Sequence, residues 1–159
     1  VYKRQIIAGT VKQFYSDIIW GDIDYMFIDC PPGTGDVPLT IFQSIPIDGV
    51  VVVTTPQDLV SVIVGKAVHM ADSMNIPVIG MIENMSYFIC PDCNNKHYIF
   101  GKSQLEQVIR DLYIGHAIRL PINPSLAGLM DRGEIEHMEA NADLQEFADL
   151  ISTFDPDKY

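Results

Sequence analysis

The fold is decided by a run of β-branched side chains in the middle of the chain, Val50-Val51-Val52-Val53-Thr54-Thr55. The run does not alternate apolar and polar residues, as a strand with one solvent-exposed face would. Continuous β-branched residues are typical of a parallel strand that helices cover on both faces. We therefore predict a buried parallel strand over residues 50–55, and we expect it to be central in its sheet.

Further strands and helices are predicted on both sides of this strand in the sequence. Short apolar runs that predict further strands occur at residues 25–30, 77–82 and 117–120. Apolar residues recur at helical spacing around residues 7–18, 63–74, 105–112 and 144–151. Asn123 and Pro124 predict the start of one more short helix, because Asn is a preferred cap and Pro is favoured at the first helical position. This alternation predicts one α/β domain with an open, doubly wound, mostly parallel sheet, which binds ligands beyond the carboxyl ends of its strands.

The charge and the composition exclude several classes of partner. The chain of 159 residues carries 21 acidic and 10 basic side chains, a formal net charge of −11. A surface this acidic repels phosphate backbones, so we expect no nucleic acid partner. No apolar run approaches the roughly 20 residues of a spanning helix, and we see no secretory signal, so we expect no membrane partner. A cytoplasmic location is the expectation that remains.

A rigid turn follows the strand predicted at residues 25–30, with the sequence Asp29-Cys30-Pro31-Pro32-Gly33-Thr34-Gly35-Asp36. A carboxylate at a strand end can hold magnesium through water, and glycines let backbone N–H groups approach a terminal phosphate. Two prolines and two glycines also build an ordinary tight turn whose acidic residue caps the next helix. The residues alone therefore leave a nucleotide-binding loop and a structural turn as equal alternatives.

Cys90 and Cys93 are separated by two residues, a spacing that presents two thiolates on one turn. Two thiolates are half of a tetrahedral sulfur site, so an all-thiolate site requires a second copy of the chain, most simply across a two-fold axis. Zinc is an equal competitor on spacing, because His97 is close enough to complete a mixed site. A redox pair is disfavoured, because the pair does not open a helix that lowers a thiol pKa and because Asp92 disfavours a thiolate. Cys30 is interpreted as a small buried hydrophobe.

Four motifs occur in the order in which they occur in one family of ATPases. They are the turn at residues 29–36, Thr54-Thr55-Pro56-Gln57, Glu83-Asn84-Met85-Ser86 and Cys90-Pro91-Asp92-Cys93. From about Ile6 to its end, the chain resembles the Mrp/ApbC family of iron-sulfur cluster carriers, a branch of the deviant P-loop, MinD-like ATPases of SIMIBI type. The resemblance implies a homodimer that holds a 4Fe-4S cluster between the Cys90 and Cys93 pairs of two chains, with ATP and magnesium as its other ligands.

The resemblance also implies roles for single residues. Asp29 is implied to be the catalytic carboxylate near magnesium, and Asn84 is implied to contact the adenine base. The other nucleotide contacts that it implies are Gly33, Thr34, Gly35, Pro121 and Asn123. An amide suits base recognition because it donates and accepts at once, although a strand-end turn former explains Asn84 equally well. Asn123 stands where the family usually has Asp.

The phosphate loop of the family, of the type Lys-Gly-Gly-x-Gly-Lys-Ser, does not occur ahead of Asp29. Gly101-Lys102-Ser103 is a false match, because Lys96 stands where the motif requires Gly, and we interpret it as a turn and a helix start. We therefore expect residues 1–159 to form a single, N-terminally truncated P-loop NTPase domain with a metal-binding insertion near residues 87–98. We expect this chain alone to be inactive as an ATPase.

The function that the resemblance implies is an ATP-dependent carrier that transfers a labile 4Fe-4S cluster to apo iron-sulfur proteins. One alternative is a zinc-stabilised, non-catalytic interaction module. Another is a MinD/ParA-like partitioning ATPase, which is disfavoured because it would need neither Cys90 nor Cys93. Metal content separates the first two, since a carrier holds iron with inorganic sulfide and the module holds zinc.

Overall fold

The computed structural model describes residues 2–57, 60–138 and 142–158. The helices are α1 (Tyr2–Ser16), α2 (Asp36–Ser44), α3 (Val60–Ser73), α4 (Leu105–Asp111), α5 (Pro124–Arg132) and α6 (Ala142–Ser152), with 3-10 turns at Ile135–His137 and Pro156–Lys158. The strands are β1 (Val50–Thr54), β2 (Val78–Glu83), β3 (Phe88–Ile89), β4 (Lys96–His97) and β5 (Ala117–Arg119). Strands and helices alternate, which confirms the α/β class. No helix in the described ranges is long and apolar enough to cross a membrane.

The main sheet is parallel and has the strand order β1-β2-β5. Val52 of β1 is opposite Met81 of β2, and Ile82 of β2 is opposite Ile118 of β5. The parallel strand predicted at residues 50–55 is confirmed. The prediction that it is central is wrong among the described strands, because β2 lies between β1 and β5. A run of apolar residues without alternation indicates that both faces of a strand are buried. It does not indicate where the strand lies in the order of the sheet.

Helices cover both faces of this sheet. Met81 packs with Val52 and with Val64 and Val68 of α3, in a core that Leu105 and Ile114 complete. Gly80 faces the other way, because neighbouring residues of a strand point to opposite faces. A Cβ atom on Gly80 would lie 2.7 Å from the Phe147 ring of α6, so only glycine permits that close approach. The doubly wound arrangement is confirmed.

The strand predicted at residues 25–30 is absent, and this prediction was wrong. The segment lies in no ladder with the strands of the described residues, and Phe27 is 76% exposed. The segment makes a local contact within itself, because the rings of Tyr25 and Phe27 stack with their centroids 6.4 Å apart. A strand exists only where a neighbour accepts its hydrogen bonds, and an apolar run supplies the side chains without supplying that neighbour.

Helix α2 was not predicted as an element. It begins after Gly35, which serves as the N-cap in an extended conformation, and it carries Asp36 in its first turn. Pro38 is buried in that turn and Ile41 is buried one turn later. Proline is tolerated in the first turn because the N–H group it lacks would have no partner within the helix. The loop therefore leads directly into a helix.

The start of α5 confirms the predicted cap. The Asn123 side-chain oxygen accepts a hydrogen bond from the Ser125 backbone N–H at 3.1 Å and one from the Ser125 hydroxyl at 2.6 Å. Pro124 occupies the first helical turn, and Gly133 ends the helix in a left-handed conformation with φ 67°. This cap places residues 121–123 immediately beyond β5, at the carboxyl edge of the sheet.

Candidate functional site

Backbone hydrogen bonds gather three segments at the carboxyl edge of the sheet. The Asn84 N–H donates to the Thr54 carbonyl at 2.8 Å, which joins the ends of β2 and β1. The Leu120 N–H donates to the Glu83 carbonyl at 2.9 Å, and the Ser86 N–H donates to the Leu120 carbonyl at 2.9 Å. Sequence motifs around residues 54–57, 83–86 and 120–123 are therefore neighbours in space, as expected at the ligand edge of a doubly wound sheet.

Asn84 is exposed at this edge, and its side chain also shapes the turn. Its Oδ1 accepts a hydrogen bond from the Met85 backbone N–H at 2.9 Å. Met85 has φ 54°, in the left-handed region that this local hydrogen bond supports. The turn-forming role is present in the structure, and it orients the amide group at the open end of β2.

Asn123 is exposed and Pro121 is half-buried. The Asn123 oxygen accepts two hydrogen bonds at the α5 cap, which leaves its amide nitrogen as the donor for a further partner. Asn123 and Asn84 approach the edge from different strands, β5 and β2. No hydrogen bond joins their side chains within the described part of the chain.

Residues 31–35 of the turn are exposed, and Pro32, Gly33 and Thr34 face α3 across a cleft. Pro32, Gly33 and Thr34 line an open cleft of about 240 Å³ together with Ile63 and Lys66. Gly33 has φ 88°, a conformation that strongly favours glycine. Lys66 was not identified from the sequence, and its ammonium group is the positive charge of this cleft. Helical spacing alone gave no signal for it, because lysine is common on exposed helix surfaces.

Asp29 and Cys30 precede this cleft. Asp29 is exposed and Cys30 is half-buried. Partial burial, reinforced by the neighbouring Asp29 carboxylate, raises the pKa of the Cys30 thiol. Cys30 belongs to no group of metal-ligating side chains among the described residues.

A buried polar network at the end of β2 was missed by the sequence analysis. Glu83 is only 2% exposed, and it accepts hydrogen bonds from the Ser86 hydroxyl at 2.5 Å and the Ser103 hydroxyl at 2.9 Å. Arg119 of β5 bridges two carboxylates. Its Nε lies 3.6 Å from Glu83, and its terminal nitrogen lies 3.1 Å from Glu106. The available signal was Glu83, a charged residue directly after an apolar run that predicts a buried strand, because a buried charge requires a partner.

Ser103 completes this network. Its oxygen accepts hydrogen bonds from the Leu105 N–H at 3.1 Å and from Arg119 Nε at 3.2 Å, while its proton goes to Glu83. The residues before it, Gly101 and Lys102, lie outside any helix, and Gly101 has φ 95°. The interpretation of Gly101-Lys102-Ser103 as a turn and a helix start is confirmed.

The close cysteine pair lies on a two-stranded antiparallel hairpin formed by β3 and β4. The Cys90 N–H donates to the Asn95 carbonyl at 3.0 Å, and the Asn94 N–H donates back to the Cys90 carbonyl at 2.9 Å. These two bonds close a turn over residues 91–94. The structure brings Cys90, Cys93 and His97 together, with their ligand atoms all within 4.8 Å of one another.

Backbone N–H groups of the turn stabilise a thiolate at Cys90. The N–H of Cys93, then that of Asp92, then the Cys93 thiol donate to Cys90 Sγ and lower its pKa. The pair does not open a helix, as expected, but the expectation that Asp92 disfavours a thiolate is wrong for Cys90, because the turn amides lower its pKa. A tight turn can aim amides at a sulfur atom as the first turn of a helix does.

The hairpin is connected to the carboxyl edge of the sheet. The Ile122 N–H donates to the Tyr87 carbonyl at 2.7 Å, three residues before Cys90. Together with the bond from Ser86 to Leu120, this contact aligns residues 86–87 with residues 120–122. Asn84 and the two thiols thus lie on one stretch of backbone, and these hydrogen bonds join that stretch to residues 120–122.

Comparisons with known proteins agree with this arrangement. The sequence profile of the family described as ParA, NUBPL iron-transfer P-loop NTPase, matches residues 1–154. A protein of Methanocaldococcus jannaschii named iron-sulfur cluster carrier protein is 44% identical over 134 residues, which are 84% of this chain and 46% of the relative. A protein of Methanococcus maripaludis with the same name is 39% identical over 155 residues, which are 96% of this chain and 53% of the relative.

A solved structure is also similar. It is described as a nucleotide-binding protein from Archaeoglobus fulgidus in complex with ADP, with cobalt found by PIXE. The TM-score is 0.79 at 41% identity, over 89% of this chain and 58% of that one. The chain spans about half the length of the curated relatives it matches. The family profile, the relatives and the shared fold show that the chain belongs to the NUBPL iron-transfer P-loop NTPases, the Mrp/ApbC group that its motifs resemble.

Proposed function

We propose that the protein is an ATP-dependent carrier that holds a labile 4Fe-4S cluster as cargo and transfers it to apo iron-sulfur proteins. The observation that carries the proposal is the hairpin, which presents the thiols of Cys90 and Cys93 at an accessible turn. The relatives named as iron-sulfur cluster carriers support it. Cys93 is exposed and Cys90 half-buried, and such a surface turn suits a carrier, because a cargo held at the surface can pass to another protein by ligand exchange.

The cluster would bridge two copies of the chain. One chain supplies two thiolates, and a cluster of four irons takes four. A two-fold axis next to the turn would bring the second Cys90 and Cys93 pair opposite the first, so a homodimer supplies the full set.

Nucleotide would bind at the carboxyl edge and at the adjoining loop. In this proposal Asp29 holds magnesium through water, Gly33, Thr34 and Gly35 approach the terminal phosphate, and Asn84 contacts the base beside Pro121 and Asn123. The similar ADP complex supports nucleotide binding at this fold. Hydrolysis would depend on positioning and charge neutralisation, as in other phosphoryl transfers, and it would regulate cluster transfer in the whole protein.

The proposal also covers the domain organisation of the chain, its cellular location and its partners. Residues 1–159 would form one partial P-loop NTPase domain with the metal-binding insertion at residues 87–98. The protein would act in the cytoplasm, with apo-proteins as partners and without nucleic acid or membrane. The net charge of −11 supports the exclusion of polyanionic partners.

A zinc-stabilised interaction module is the second candidate. Its specific support is His97, whose ring nitrogen lies within 4.8 Å of both thiol sulfurs. Zinc accepts two sulfur ligands and one nitrogen ligand readily. In that case, isolated protein would contain zinc that survives exposure to air, with no inorganic sulfide.

Anaerobic reconstitution tests the carrier proposal. We expect iron and sulfide at about one four-iron cluster for two chains, with broad visible absorption and with cluster and dimer rising together. Cys90→Ala and Cys93→Ala should each abolish loading. Cys30→Ala is the matched control, because Cys30 lies before the loop at residues 31–35 and outside the hairpin, and it should load normally. A full cluster on one chain, or equal loss in Cys30→Ala, would contradict the bridging arrangement.

A further inference from the structure

We propose that Glu83 is a positioning residue for the hairpin of residues 88–97, which carries Cys90 and Cys93. Its carboxylate fastens both ends of the hairpin to the main sheet, and so fixes the direction in which the two thiols are presented. The attachment is a property of the metal-free chain. Its consequence for the retention of a cluster rests on the proposed carrier function.

The chain leaves the main sheet and returns to it at one carboxylate. The entry stem, residues 86–87, connects β2 to the hairpin, and the Ser86 hydroxyl donates to Glu83 Oε1 at 2.5 Å. The exit stem, residues 98–103, leads from the hairpin toward α4, and the Ser103 hydroxyl donates to Glu83 Oε2 at 2.9 Å. Hydrogen bonds to an ionised group are about twice as strong as those between neutral groups. Each stem is thus bonded to its own oxygen of the same side chain.

The burial of Glu83 makes these two bonds costly to lose. Glu83 is 2% exposed, and Ser86 is fully buried. Arg119 supplies the compensating charge, with its Nε 3.6 Å from Glu83 Oε1. Removing one partner of a buried polar group leaves the other unsatisfied, because water does not reach it to replace the lost bond. The two stems are therefore held in one arrangement.

The two stems differ in their other attachments. The entry stem is also fixed through its backbone, which is hydrogen-bonded to residues 120–122. In the exit stem, the backbone hydrogen bond among the described residues is a local one, from the Gly101 N–H to the Tyr98 carbonyl at 3.3 Å. Its polar attachment to the main sheet, within the same described residues, is the Ser103 side chain. Loss of the bond between Ser103 and Glu83 would therefore leave the hairpin attached at one end.

The hairpin itself would stay closed when its exit stem is released. The backbone bonds that join Cys90 to Asn94 and Asn95, and the pairing of β3 with β4, involve no atom of Glu83. Release would change the direction of the hairpin and not its shape. In the proposed dimer, a released hairpin would have to be ordered again as the cluster binds, at an entropic cost. Glu83 thereby favours retention of the cluster by ordering the hairpin in advance.

Distances between two spin labels test this attachment in the metal-free chain. One label is attached to Cys93, and the other to His69→Cys, an exposed position of α3, whose buried face packs on the main sheet. Cys30→Ala and Cys90→Ala remove the other thiols, and an excess of unlabelled chains removes distances between chains. We expect one narrow distribution of distances, and we expect Ser103→Ala to broaden it.

Two more variants assign the effect. Ser152→Ala is the matched control, because it removes an exposed hydroxyl that bonds within its own helix, α6, and it should leave the distribution narrow. Glu83→Gln removes the charge opposite Arg119 and one of the two acceptor oxygens, so it should broaden the distribution as Ser103→Ala does. An unchanged distribution in Ser103→Ala, or equal broadening in Ser152→Ala, would overturn the inference. A distribution that stays narrow in Glu83→Gln would place the attachment on Arg119 and overturn the role of Glu83.

Cluster retention separates this inference from the carrier proposal. Ser103→Ala should still load a cluster, but it should lose iron to a chelator about tenfold faster, at the lower end of the effect of groups that orient metal ligands. Equal rates of iron loss in Ser103→Ala and in the unaltered protein would overturn the role in retention. Failure of the unaltered protein to load a cluster would contradict the carrier proposal, and the distance measurements would still decide the attachment.

Discussion

Glu83 and Asn84 are neighbours in the chain, and the structure gives them opposite surroundings. Glu83 is 2% exposed within a network of two hydroxyls and a guanidinium group, whereas Asn84 is exposed at the end of the same strand. Because successive side chains of a strand point to opposite sides, one residue anchors the strand end and the next is exposed to solvent. Glu83 thereby holds in place the edge at which Asn84 lies.

Cys90 and Cys30 should differ in the pH at which their thiols become reactive. Turn amides lower the pKa of Cys90, and burial together with Asp29 raises that of Cys30. The thiolate is the reactive form, so Cys90 should become reactive at a lower pH than Cys30. Alkylation of the metal-free chain with iodoacetamide across a pH series, followed by mass spectrometry of the two peptides, measures both midpoints. Coincident midpoints would show that the turn does not polarise Cys90.

At the scale of elements, the cap of α5 and the proposed base pocket share one residue. The Asn123 oxygen accepts two hydrogen bonds from Ser125 and so begins the helix that follows the pocket. A side chain can serve both purposes only if its oxygen faces the helix and its nitrogen faces the ligand.

Asn123→Ala should lower the free energy of unfolding by about 1 kcal/mol, because it removes the cap. Asn123→Asp is the matched variant, since it keeps the acceptor oxygen and should change stability by less than half as much. Urea unfolding followed by circular dichroism gives both values. Equal destabilisation by Ala and by Asp would mean that the capping bonds contribute little, and that the amide nitrogen matters instead.

At the scale of the molecule, the main sheet has an accessible edge. Among the described residues β1 pairs on one side only, and Val53 within it is 63% exposed. Other large apolar side chains are also exposed, including Ile19 at 96% and Phe27 at 76%. Unpaired strand edges and apolar patches promote association between chains.

We therefore expect the chain of 159 residues, taken alone, to associate in solution. Val53→Lys should reduce this association, because a charge on an edge strand opposes pairing with another chain. Val62→Lys, the same change at an exposed position of α3, is the control and should have a smaller effect. Size-exclusion chromatography with light scattering gives the mass distribution. A monodisperse monomer with a sharp cooperative melt would contradict the expectation.

Much of this arrangement is predictable from local sequence. The β-branched run at residues 50–55 specifies a buried parallel strand through its side chains alone, and Asn123 with Pro124 specifies a helix start through backbone chemistry. Cys90 and Cys93 predict two thiols side by side on one turn, because two residues between them fit one turn. Each of these signals is complete within a few neighbouring residues.

The features that were missed depend on partners distant in sequence. Residues 25–30 have strand composition but no ladder partner among the described residues, and strand order follows from pairing that local pattern does not encode. The Glu83 network joins residues 83, 86, 103, 106 and 119, so none of its members is interpretable alone. His97 was noted only as a nearby ligand, since its place beside Cys90 requires the register of β3 and β4.

The hairpin has a further consequence for how two copies approach each other. Each chain carries a formal net charge of −11, so two chains repel each other overall. Residues 87–98 contain one aspartate and one lysine, Asp92 and Lys96, and therefore have no net formal charge while the thiols are protonated. In the proposed dimer, the segments that meet would therefore add no net charge to this repulsion. Two chains that approach through their cysteine turns would meet there without like charge of the segment itself, before any metal joins them.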